Sequence, residues 1–64
     1  MSFSFARESA NLTQSEVAEA LGVDQSAVSQ WETGKTAPRA SLLLRLSALY
    51  GCTVDELLKG NAEA

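Results

Sequence analysis

Residues 12–35 read LTQSEVAEALGVDQSAVSQWETGK. Thr13 and Glu16 form the T-x-x-E pattern of a capping box, in which each residue's side chain accepts a hydrogen bond from the other's backbone amide. This box predicts the start of a helix, and Gly22 predicts its end, since glycine most easily adopts the left-handed cap conformation. Asp24, a residue type favoured as N-cap, stands two positions later, so a second helix should follow almost at once.

The rest of the chain predicts three more short helices and no strand, because no segment alternates apolar and β-branched residues with polar ones. Their expected ranges are residues 2–10, with a stop at Asn11, residues 40–50, closed by Gly51, and a last helix that opens at a second capping box, Thr53-Val54-Asp55-Glu56, and ends at Lys59-Gly60. Together with the pair above, whose second member spans Gln25–Glu32, they predict an all-α domain of five helices. Its core should cover residues 3–60 of a single 1–64 domain, with a frayed tail at 61–64.

Composition excludes several classes of protein. The chain has 64 residues, a net charge of −3, a pI near 4.6, one cysteine and no histidine. Metal sites of the Cys/His type, catalytic triads and internal disulfides therefore lack parts, and we expect no enzyme, cofactor, metal or small-molecule substrate. No apolar run reaches the length of a membrane span and no signal peptide is evident, so a reduced, cytoplasmic setting is expected. Cys52 is interpreted as core packing, with a reactive thiol as the alternative.

The join between the second and third helices is too short for a long antiparallel hairpin and suits the roughly 90–120° crossing of a helix-turn-helix. At about 100° per residue, the third helix has an apolar side of Ala27, Val28 and Trp31. Its other side carries amides and hydroxyls without charge, from Gln25, Ser26, Ser29 and Gln30.

Two interpretations of that uncharged side can be compared. Glutamine can bond adenine at two atoms and serine can bond any base edge, so the side could read DNA; equally, a helix can simply be polar and uncharged. The preceding helix favours DNA, because in a helix-turn-helix the N-terminal residues of the second helix face base edges in the major groove. Gln25 and Ser26 occupy that end.

These motifs taken together resemble the Xre/Cro family, the lambda-repressor-like helix-turn-helix regulators. The resemblance is carried by residues 12–18, 21–23, 28–35 and 38, and by the tail over residues 46–60. It spans about residues 3–60 and implies the five-helix lambda-repressor-like fold with double-stranded DNA as partner.

The resemblance also implies roles for individual residues. Gln25, Ser26 and Gln30 match base-reading positions. The matching phosphate-contacting positions are Gln14, which also braces the first base-reading residue, Ser29, and the loop residues Thr33, Lys35 and Arg39. Arg7 and Glu32 match a partly buried ion pair that ties the first helix to the third, so Arg7 is assigned to structure rather than to phosphate binding. Ala27 departs from the family pattern by placing a methyl where many relatives carry a polar side chain; it either contacts a thymine methyl or makes no DNA contact.

Two apolar features bear on packing and assembly. Trp31 is interpreted as a core residue rather than a stacking platform, because duplex DNA hides its base faces. In the fourth helix the core stripe leaves Leu44 on the opposite side. Since one small domain touches few base pairs, a homodimer on a palindrome with half-sites about 34 Å apart is expected. The fifth helix, including Val54 and Leu57, is the predicted interface.

The predicted function is a sequence-specific DNA-binding transcriptional regulator of the phage-repressor, controller-protein or antitoxin kind. The alternative is a protein-interaction module, an antirepressor or adaptor that keeps the fold without binding DNA, which the acidic balance favours. The charges are unevenly placed: residues 1–32 carry one basic and five acidic residues, and residues 33–59 carry four basic and two acidic ones. Glu32 is expected to be neutralised by Arg7 and Asp24 to be engaged as a cap, so the acidic balance does not exclude DNA binding. The net charge of −3 instead predicts weak nonspecific binding with shallow salt dependence.

Overall fold

The computed structural model describes the backbone of residues 2–63 and the side chains of residues 2–59. Helices are the only regular elements in this part of the chain, and their bounds are α1 Phe3–Ser9, α2 Gln14–Leu21, α3 Gln25–Thr33, α4 Ala40–Tyr50 and α5 Val54–Glu63. The predicted all-α fold of five helices is thus confirmed over the described residues.

The predicted helix bounds differ from the structure by one residue at each end of α1 and at the end of α3, and by more at the end of α5. α5 continues to Glu63 and does not end at Lys59–Gly60. A glycine permits a left-handed helix end but does not impose one, because its backbone also adopts the helical conformation. Residues 61–63 are thus part of α5 and Ala64 lies outside the described residues, while fraying of this tail stays a prediction.

Both ends of α2, the capping box at its start and the glycine turn that leads into α3, form as the sequence predicts. Thr13 Oγ1 accepts from the Glu16 amide at 3.0 Å and Glu16 Oε1 accepts from the Thr13 amide at 2.8 Å, which completes the capping box. Gly22 ends α2 with φ +72°, a left-handed backbone conformation that residues other than glycine rarely adopt. The α2 and α3 pair packs more closely than any other pair of helices in the described structure.

Asp24 fills the N-cap position of α3, but its carboxylate makes no capping hydrogen bond. The expectation that the Asp24 carboxylate is engaged in capping α3 is therefore wrong. The backbone alone adopts the extended cap conformation, with φ −72° and ψ 148°, while the side chain stays exposed. The Asp24 carboxyl group is thus exposed to solvent beside the N-terminus of α3.

The core lies between the helices and contains ten buried apolar residues: Phe3, Ala6, Val17, Ala18, Leu21, Val28, Trp31, Leu46, Tyr50 and Leu57. Trp31 is only 5 % exposed, so it packs in the core as predicted. Leu44 is 65 % exposed on the opposite side of α4, also as predicted. Leu57 is 0 % exposed, which corrects its assignment to a dimer interface: the monomer's own core already buries it.

Cys52 is half-buried and packs against this core, and burial raises the pKa of its thiol. That environment agrees with the packing role predicted for it. In the residues described, no helix is both long and apolar enough to cross a membrane.

Candidate nucleic-acid interface

The face of α3 that the sequence assigned to DNA is available on the surface. Gln25 and Ser26 are exposed in its first turn, and Ser29 and Gln30 are half-buried one turn further along. The opposite side holds Val28 and Trp31 in the core, with Ala27 partly buried against it. Because its methyl packs inward, Ala27 is accounted for by core packing without a thymine contact.

The loop after α3 folds back onto Gln30. The Gln30 carbonyl accepts from the Lys35 amide at 3.0 Å and from Thr33 Oγ1 at 3.1 Å. Thr36 Oγ1 lies 3.5 Å from Gln30 Oε1, at the outer limit of a hydrogen bond. Sequence reasoning missed Thr36, because a polar loop composition does not show which hydroxyl returns to the helix.

The N-terminus of α2 presents backbone amides beside this face. The amides of Gln14 and Ser15 precede the first intrahelical bond of α2, which runs from Val17 to Thr13 at 3.1 Å. Such amides, at the positive end of the helix dipole, suit an anion such as a phosphate.

The Gln14 side chain is anchored to Glu32. Its Nε2 donates to Glu32 Oε1 at 2.9 Å, although the two residues are 18 positions apart. In the described part of the chain no hydrogen bond joins Gln14 to Gln25, so the expected bracing of Gln25 does not occur through such a bond.

Arg7 and Glu32 are brought together as the resemblance implies. Arg7 Nε donates to Glu32 Oε2 at 2.6 Å and Nη2 donates to Oε1 at 3.3 Å, with the side chains only 13 % and 8 % exposed. Arg7 Nη1 donates to the Leu12 carbonyl at 2.8 Å. The hydrogen bond with Glu32 raises the pKa of Arg7. All three nitrogens of the guanidinium face protein acceptors, which agrees with a structural role.

The remaining predicted contacts lie on the surface beyond α3. Thr33 ends α3, Lys35 follows in the loop, and Arg39 is the N-cap residue of α4; all three are exposed. Within the described side chains the ion pairs are formed by Arg7 with Glu8 and with Glu32, so Lys35 and Arg39 carry charge that no acidic partner neutralises.

Comparison with known proteins shows the family of the chain. A family model described as helix-turn-helix matches residues 5–57. The HTH-type transcriptional activator BcrR of Enterococcus faecalis is 44 % identical over 54 residues, which cover 84 % of this chain and 26 % of BcrR. Repressor protein C2 of Salmonella phage P22 is 38 % identical over 55 residues, 86 % of this chain and 26 % of C2. The chain thus spans about a quarter of the length of these relatives. No solved structure gives a significant match.

Proposed function

Because the chain belongs to the lambda-repressor-like helix-turn-helix family, we propose that it is a DNA-binding transcriptional regulator whose α3 reads the major groove. The observation that carries this proposal is the exposed, uncharged first turn of α3, fixed against α2 by the Gly22 turn. Both relatives named above are regulators, one an activator and one a repressor, and neither points to an enzyme.

Within this proposal the site divides by chemistry. Gln25, Ser26 and Gln30 read base edges, since their amides and hydroxyls can each donate and accept. The phosphate contacts come from two groups of residues. The first is Gln14 at the start of α2 with Ser29 on α3, and the second is the exposed group Thr33, Lys35 and Arg39. Phosphate contacts fix the register of the protein while base contacts carry the sequence preference.

We also propose that the chain binds a palindrome as a homodimer in the cytoplasm. A single α3 spans few base pairs, so two copies related by a two-fold axis, with half-sites about 34 Å apart, are needed for a useful site. Leu57 is excluded from the interface by burial, while Leu58 is 46 % exposed and Val54 half-exposed on α5. Sedimentation of the chain at micromolar concentration, with and without its duplex, tests this: a monomer in both cases contradicts it.

The test of DNA reading is selection from random duplexes. The wild-type chain should enrich a palindrome, and Gln25→Ala should relax one or two symmetric positions, because a bidentate contact contributes about 1–3 kcal/mol of discrimination. Ser9→Ala, an exposed polar change at the end of α1, is the matched control and should leave the preference intact. An unchanged preference in Gln25→Ala contradicts the role of that residue.

The acidic balance of the chain supports a second candidate, a protein-interaction module that keeps the fold without binding DNA. Asp24 adds to it, since its carboxylate is exposed next to the recognition end of α3. A mobility-shift assay at low salt separates the candidates. A regulator binds even nonspecific duplex under those conditions, whereas an adaptor does not.

A further inference from the structure

Glu32 lies between side chains from two other helices. Its carboxylate accepts from Arg7 Nε at 2.6 Å, from Arg7 Nη2 at 3.3 Å and from Gln14 Nε2 at 2.9 Å. The same arginine donates to the Leu12 carbonyl, in the turn just before the capping residue of α2. The nearly enclosed Arg7–Glu32 pair therefore bonds both to the backbone just before α2, at Leu12, and to the side chain of the first residue of α2, Gln14.

The chemistry of the carboxylate decides which way the Gln14 amide points. An ionised carboxylate only accepts hydrogen bonds, so the group that faces Glu32 must be the NH₂ of Gln14 and not its oxygen. This leaves one N–H as donor and Oε1 as acceptor for other partners. A glutamine free to rotate would present either group, including an oxygen that cannot donate to a phosphate.

We propose that Glu32 is a positioning residue of the DNA interface: it holds the Gln14 amide so that the remaining N–H, with the backbone amides at the start of α2, meets one phosphate. This rests on the proposed DNA-binding function and extends it. The Arg7–Glu32 pair then acts on DNA affinity through Gln14, in addition to holding α1 against α3. Arg7 contributes by holding the Glu32 carboxylate in place through its two hydrogen bonds.

A double-mutant cycle on DNA affinity tests the proposal, with the duplex enriched by the selection above as probe. In the wild-type background Gln14→Ala should weaken binding by about tenfold or more, the effect of losing a hydrogen bond to a charged group. In the Glu32→Gln background the same change should cost less than about twofold, because that amide no longer fixes the donor side of Gln14. Glu8→Gln is the matched control background, since Glu8 approaches Arg7 at 3.8 Å from an exposed position. There, the Gln14→Ala effect should remain complete.

A second readout uses the free protein. The Gln14 side-chain amide should be rigid in wild type, by ¹⁵N relaxation, and mobile in Glu32→Gln. Glu32→Asp replaces Glu32→Gln if the latter does not fold, since aspartate keeps the charge beside Arg7 but is one methylene shorter. The proposal is overturned by an equal Gln14→Ala effect in both backgrounds or by a mobile amide in wild type. The absence of any enriched duplex instead overturns the proposed function itself.

Discussion

At the scale of single residues, Glu32 is a largely buried acidic side chain whose ion-pair partner is Arg7. Its side chain is 8 % exposed, and Arg7, which neutralises it, is 13 % exposed. Removing both charges from such a pair can be nearly neutral, but removing one leaves the other buried without a partner. The pair therefore makes the fold sensitive to either single substitution.

Arg7→Ala should lower the free energy of unfolding by about 3–5 kcal/mol, because Glu32 is then left buried without its ion-pair partner. A 64-residue domain has only about 3–10 kcal/mol in total, at roughly 0.05–0.15 kcal/mol per residue. Urea denaturation followed by circular dichroism measures the loss. Glu8→Ala is the control, since that exposed partner lies 3.8 Å from Arg7 and should cost less than about 1 kcal/mol. Equal losses in the two variants contradict the prediction.

Tyr50 gives the core a sensitivity to alkaline pH. Burial, followed by the nearby Glu32 charge, raises the pKa of Tyr50 to about 12, whereas an unfolded tyrosine ionises near pH 10. Its contribution to stability is therefore complete below about pH 10 and is lost as the pH rises through 12. Melting temperatures should fall more steeply between pH 9 and 12 for wild type than for Tyr50→Phe. Parallel curves for the two proteins contradict this prediction.

At the scale of elements, the capping box at the N-terminus of α5 shows how a reciprocal pair of hydrogen bonds stabilises the start of a helix. The Thr53 amide donates to Glu56 Oε1 at 3.0 Å, and the Glu56 amide donates to Thr53 Oγ1 at 3.0 Å. The bonds from the Thr53 backbone and side chain lower the pKa of Glu56. The ionised carboxylate is therefore the form that stabilises the start of this helix.

Because the folded pKa of Glu56 is depressed, its contribution is present above the ordinary value near 4.5 and is lost as the pH falls through the lower folded value. Glu56→Gln should therefore destabilise the chain at pH 6, and its difference from wild type should shrink toward pH 2. Urea midpoints across this range measure the effect. Asp55→Asn removes a neighbouring first-turn charge and should show a smaller change at pH 6. A gap between Glu56→Gln and wild type that stays constant with pH contradicts the role of the carboxylate.

Helix bounds could be predicted from the sequence where residues close to the helix end determine them. The bounds of α2 and α4 follow from the Thr13 capping box and from the glycines that end both helices, and the structure confirms them. The end of α5 and the unused Asp24 side chain could not be predicted, because a residue's tolerance for a cap does not force the cap to form. The Gln14–Glu32 bond needed the packing of α2 on α3, since its partners are 18 residues apart in sequence.

For the whole molecule, the distribution of charge decides how DNA binding depends on salt. The chain is acidic, at −3, yet Lys35 and Arg39 are exposed beyond α3 and carry no ion pair among the described side chains. Arg7 is engaged within the protein and Arg45 donates to the Ala20 carbonyl at 2.9 Å. Two basic side chains per copy are therefore free to neutralise phosphates at the proposed interface.

This predicts a shallow salt dependence. Each neutralised phosphate contributes about −0.9 to the slope of log K against log salt concentration, so two per copy give about −4 for a dimer. Lys35→Gln should reduce the magnitude of that slope by about one per copy while leaving the preferred sequence unchanged. Lys59→Gln removes the same charge from α5, outside the proposed DNA interface, and should leave the slope nearly as it was. If Lys59→Gln flattens the slope as much as Lys35→Gln, net charge rather than the position of the loop lysine governs binding.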